Sequence, residues 1–91
     1  MAQINIININ THTFQVTVVA ESTTTHMVTV QAEYLQKLTA GKLSSIDLIR
    51  HSFKFLLARE SNTSILRNFD LSVIAHYFPE FEREIAASDF S

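Results

Sequence analysis

The chain has no cysteine and no tryptophan, and only one glycine and one proline in 91 residues. The missing cysteine excludes a disulfide framework, a thiolate nucleophile and any thiolate-held zinc or iron–sulfur centre. So little glycine and proline excludes collagen-like and low-complexity chains. It also leaves little loop in which to build a catalytic site. Charge is scarce as well: Asp, Glu, Lys and Arg make up 18% of the residues, and the net charge is −2 with histidine neutral. A general nucleic-acid binder carries a basic excess instead. Long hydrophobic runs are missing too, because asparagines interrupt the isoleucines at the start of the chain. That start reads neither as a signal peptide nor as a membrane span, and the expected location is the cytoplasm.

What is present is apolar bulk. Hydrophobic residues are 46% of the chain, too many for disorder and enough for one modest core. Two regimes follow one another. Residues 1–31 are rich in Ile, Val and Thr and hold no Lys or Arg, whereas residues 32–91 hold all seven basic residues and the leucines. Strand formers followed by helix formers predict a single α+β domain spanning 1–91.

Phe14, Val16 and Val18 alternate with Gln15, Thr17 and Val19, so 13–20 reads as a half-buried strand. His26, Val28 and Val30 alternate with Thr25, Met27 and Thr29, which gives a second. The polar link 21–24 is of hairpin length, so the two strands should pair antiparallel. Ile4, Ile6, Ile7 and Ile9 change phase at the Ile6-Ile7 pair. Residues 1–11 are therefore either a third strand with a bulge or an arm. Neither strand of the hairpin carries a Lys or Pro to guard its edge, which invites pairing with another chain.

The helical half begins with a short helix over 31–39, ended by Gly41 in a left-handed cap. Ser44-Ser45-Ile46-Asp47 offers an N-cap for the central helix, with Asp47 in its first turn, running through Glu60. Asn62 or Thr63 is expected to open a short helix carrying Ile65, Leu66 and Phe69. Asp70 should cap a helix over 71–77. Pro79 should start a last helix through Ala87, with 88–91 as a frayed tail. At 100° per residue, Ile46, Ile49, Phe53, Leu56 and Leu57 of the central helix share one face. Leu48 and Phe55 fall nearly opposite, and Asp47, Arg50, His51 and Lys54 form a polar stripe between them. The second apolar face must meet either the C-terminal segment or a second subunit. Asp47, Arg50, His51, Lys54, Leu48 and Phe55 are therefore the candidate interaction surface.

No catalytic constellation emerges. His12, His26, His51 and His76 match no metal-ligand spacing. His26 reads as a strand residue in phase with the core, and His51 as a hydrogen-bond partner one turn after Asp47. Gly41-Lys42 lacks the rest of a phosphate loop, and Ser52 and Ser64 have no nucleophile motif around them. Glu80 and Glu84 share a helix face but read as a charged helix start. Asn62-Thr63-Ser64 matches a glycosylation acceptor only formally, given the lack of a signal peptide. No enzyme activity, metal or cofactor is expected.

The run Leu48-Ile49-Arg50-His51-Ser52-Phe53-Lys54-Phe55-Leu56-Leu57-Ala58-Arg59-Glu60, then Ser64-Ile65-Leu66, Phe69-Asp70-Leu71-Ser72-Val73-Ile74 and Tyr77-Phe78-Pro79-Glu80-Phe81, resembles small uncharacterised bacterial proteins of similar size. The resemblance covers residues 12–85 and leaves the arm at 1–11 outside. It implies a compact bacterial domain and transfers no activity. Val28-Thr29-Val30, a first helix, Gly41 and then 44–57 are also similar in order to ribbon-helix-helix repressors. That resemblance implies a strand in the major groove, with Thr25, Met27 and Thr29 reading base edges and Ser45 and Arg50 near phosphate.

The reading that follows is a small non-enzymatic interaction domain. It is expected to be homodimeric and to take a protein partner through a sheet edge or a helix face. A ribbon-helix-helix-like transcriptional regulator is the alternative. The surplus of apolar surface on Leu48, Phe55 and the aromatic residues motivates the dimer.

Overall fold

The computed structural model describes residues 2–87. Its strands are β1 (Gln3–Asn8), β2 (Thr13–Val19), β3 (Thr23–Thr29) and β4 (Asn68–Asp70). Its helices are α1 (Ala32–Thr39), α2 (Ser45–Leu57), α3 (Val73–Tyr77) and α4 (Phe81–Ala87). A sheet built mostly at the N-terminus, followed by helices, makes the fold α+β. The expected frayed tail at 88–91 lies outside the described residues.

The sheet runs β1-β2-β3-β4, with the first two pairings antiparallel and the last parallel. Residues 3–8 are a regular strand, neither bulged nor a free arm, and Ile4 stands opposite Val18. The phase change in the sequence resolves simply. Ile4 and Ile6 turn toward the core, while Ile7 lies on the other face, 55% exposed. Asn10 makes the first turn by accepting from the amides of His12 and Thr13, the local role for which Asn is suited.

Along β2, Phe14, Val16 and Val18 are buried, as are Thr24, His26 and Val28 along β3. This period of two leaves one sheet face to the helices and one to solvent. α2 lies across the covered face. Its Arg50 reaches Ile4 at one edge, while its Phe53 packs on His26 and Phe69 toward the other. Of the two adjacent serines, Ser44 is the one that caps α2, accepting from the Asp47 amide at 3.2 Å. The end of α1 takes two left-handed residues, Ala40 (φ 53°) and Gly41 (φ 81°), so the expected glycine is joined by an alanine.

Several boundaries differ from the sequence reading. The helix expected over 71–77 begins at Val73 with Ser72 at its N-cap, and Asp70, the expected cap, is the last residue of β4. The helix expected over 62–69 is a single 3₁₀ turn, Asn62–Ser64, followed by β4. A parallel ladder overrides the local pattern there: the Met27 amide donates to Arg67 O at 2.8 Å, and the Leu71 amide to Thr29 O at 2.9 Å. α2 ends at Leu57 rather than Glu60. Pro79 precedes the last helix instead of opening it, and α4 begins at Phe81.

Candidate interaction surfaces

The central helix settles where its second apolar face goes. Leu48 is fully buried and Phe55 is 8% exposed. The Phe55 ring meets Phe81 and Phe78 edge-on, with centroids 5.1 and 5.9 Å away. The C-terminal helices fold back over this face, so Leu48 and Phe55 are core residues and not part of an interaction surface. Arg59 seals the contact. Its guanidinium lies 3.6 Å over the Phe55 ring and pairs with Glu84 at 2.8 Å and Glu80 at 3.3 Å. On α1, Tyr34 donates to Glu82 at 2.8 Å and Lys37 pairs with the same carboxylate at 3.3 Å. Burial, and then the Glu82 hydrogen bond, push the Tyr34 hydroxyl pKa above its ordinary value.

The polar stripe borders the β1 edge. Arg50 donates from Nη1 to Ile4 O at 2.9 Å, and Asp47, His51 and Lys54 share its side of α2 by helical spacing. Asp47 and Lys54 are exposed; Arg50 and His51 are half-buried.

The edge itself falls on a different strand from those read as unguarded. β2 is interior along its length, β3 is flanked by β2 and, at Met27–Thr29, by β4, and the long free edge belongs to β1. Its polarity follows from the ladder. The Ile9 amide donates to Thr13 O at 2.9 Å. In this register Ile7, Asn5 and Gln3 therefore also face β2. Ile4, Ile6 and Asn8 turn their amides and carbonyls outward, as alternate residues of an antiparallel strand do.

Thr25, Met27 and Thr29 stand on the solvent face of β3 together with Thr13, Gln15 and Thr17 of β2. Because β2 covers one side of β3 and β4 pairs with Met27–Thr29 on the other, that stretch is not available to form a ribbon between subunits. No observation favours the repressor reading.

The other end of the sheet is closed by a buried polar chain. Leu66 O can only accept, so the 2.7 Å contact with His26 Nδ1 places the proton on that nitrogen. His26 Nε2 then accepts from the Thr24 hydroxyl at 2.8 Å, and Thr24 Oγ1 accepts from Asn62 Nδ2 at 2.9 Å. Asn62 also donates to Ser22 O at 2.9 Å and is buried, so the formal glycosylation acceptor is committed inside the fold. Burial holds the His26 pKa below its ordinary 6.5; Arg67 adds to this and the Leu66 hydrogen bond opposes it. The sequence showed that His26 was in phase with the core, but nothing local announced Leu66 or Asn62 as its partners.

Beside this end lies a groove of about 410 Å³ that the sequence reading missed. Leu56, Ile65, Leu66, Phe69, Ile74 and Tyr77 form most of its wall, and Glu60 is the only charged residue in it among the described residues. Among the described residues no three of His, Asp and Glu converge as metal ligands, and no helix is long and apolar enough to cross a membrane.

No protein family, curated protein or solved structure matches the chain.

Proposed function

We propose that this chain is a small, non-enzymatic protein-interaction domain that pairs with a second copy of itself through β1. One observation carries the reading: β1 is a six-residue edge with no charge and no proline, and its outward backbone groups face away from β2. Such an edge is a template for another strand. Antiparallel pairing with Ile6 opposite Asn8 of the second copy satisfies the outward groups of Ile6 and Asn8 on each side. It leaves Ile4 O to Arg50. It also puts the two copies of Ile7 opposite each other on the two-fold axis, as a pair without direct hydrogen bonds, about 4.5 Å apart at Cα. The exposed Ile7 is thereby covered, and the interface is isologous. The polar stripe gains a role in this arrangement. Running antiparallel across the axis, Asp47 of one copy approaches the Lys54 end of the other, and neither residue has an ion pair within the described chain. The reading places the protein in the cytoplasm and assigns it no cofactor.

Light scattering with sedimentation equilibrium tests it. The wild type is expected to show a dimer mass at about 100 µM, and Ile7→Lys a monomer mass with unchanged helix content. That lysine sits on an exposed position and sets two like charges against each other across the axis. A wild-type monomer at millimolar concentration would overturn the proposal.

A further inference from the structure

The apolar groove lies at the β4 end of the sheet, opposite the β1 edge, so occupancy of one leaves the other free. It lies between the end of α2, the segment through Ile65 and Leu66, β4, and α3. At about 410 Å³ it falls in the range of roughly 300–1,000 Å³ seen for ligand sites. Its apolar surface does not stop at the walls. Leu66 is 46% exposed and Tyr77 63% exposed, and both belong to its lining. Large apolar side chains left in water around a concave site mark a place where another chain docks.

The chemistry of the occupant follows from Glu60. This half-buried carboxylate has no hydrogen bond or ion pair from any described side chain. The adjacent cation, Arg59, is committed to Glu80 and Glu84. A lone carboxylate beside an apolar wall is complementary to an apolar anchor followed by a cation, and it repels an acidic one. The half-open shape and the exposed flanks suit a peptide that continues beyond the groove.

We infer that this groove binds a partner segment that presents large aliphatic or aromatic side chains next to a lysine or arginine, with Glu60 selecting the cation. An amphipathic helix offers that pattern on consecutive turns. The groove would then serve a second protein while β1 serves self-association.

Three fluorescent 14-residue helical peptides test this. All carry Leu at the same three positions one turn apart, and they differ at one flanking position: Lys, Gln or Glu. Each is titrated against the full chain by anisotropy, with amide shifts mapped by NMR. The Lys peptide is expected to bind about three- to tenfold more tightly than the Glu peptide, with shifts at Ile65, Leu66, Val73 and Tyr77. Glu60→Gln should erase that ranking, and Glu60→Lys should invert it. Tyr77→Ala should weaken all three peptides without lowering the melting temperature. A ranking indifferent to residue 60, shifts centred elsewhere, or no binding at millimolar peptide would each overturn the inference. Loss of the dimer in Ile7→Lys leaves this experiment intact, so the two proposals fail separately.

Discussion

The two edges of the sheet are built on opposite plans. β1 is long, antiparallel and joined to β2 by a short turn, so its pairing needs only residues close in sequence. β4 has three residues, runs parallel to β3, and reaches it after the chain has passed through two helices. The first edge is cheap in loop entropy and is left open. The second has few ladder hydrogen bonds and is reinforced by side chains: Phe53 packed between His26 and Phe69, and the chain Asn62–Thr24–His26–Leu66. A short strand with a distant partner needs specific contacts to offset its closure cost. A hairpin does not, and its outer strand remains available to another molecule.

The comparison is broken most severely at Phe53. This ring is fully buried beneath the β4 end, so Phe53→Ala should cost about 3–5 kcal/mol by chemical denaturation. A loss under about 1 kcal/mol would mean that the β4 end does not depend on this packing.

His26→Leu removes the middle of the polar chain and should cost about 1–3 kcal/mol, because the Thr24 hydroxyl and Leu66 O lose their partner. It also carries a pH signature. The folded pKa of His26 lies below 6.5, so its neutral form is favoured by folding. Above 6.5 the group is neutral in both states and stability is intact. As pH falls from 6.5 toward the depressed folded value, the unfolded chain takes up a proton that the folded chain refuses, and stability declines. Melting temperatures from about pH 7.5 to 5 should fall in the wild type and fall less steeply in His26→Leu. Parallel curves would remove His26 from the acid response.

The smallest effect is expected at the open edge. Arg50→Ala deletes one partly exposed hydrogen bond to Ile4 O and should cost about 1 kcal/mol. Hydrogen exchange should quicken at Asn5 and Ile7, which face β2, and stay slow at Met27 and Leu71. Equal acceleration at both ends would show that the edges are not independent.

Legibility in the sequence follows the same division. The hairpin, a serine cap at 44–45 and the inward set of α2 were readable because each depends on neighbours within a few residues. The polar stripe was readable as a helix face, but its position beside β1 was not, since Arg50 and Ile4 are 46 residues apart. Leu48 and Phe55 were recognised as a second apolar face. Whether that face met the C-terminal helices or another subunit could not follow from periodicity, which records that a residue is buried and not against what. The helix expected over 62–69 gave way because Ile65, Leu66 and Phe69 suit either element, and β3 supplied hydrogen-bond partners for a strand.

By itself, then, the sequence determined the α+β composition, the N-terminal hairpin, the central amphipathic helix and the lack of any thiol chemistry. These follow from residue types and from the periods of strand and helix. The packing of distant elements decided that β1 is the free edge, that β4 closes the other side, that burial keeps His26 neutral while Leu66 and Thr24 hold its ring, and that Glu60, beside an apolar groove, has no side-chain partner among the described residues. Each of those facts joins residues far apart in the chain, and such contacts are set by how whole elements pack rather than by any local pattern.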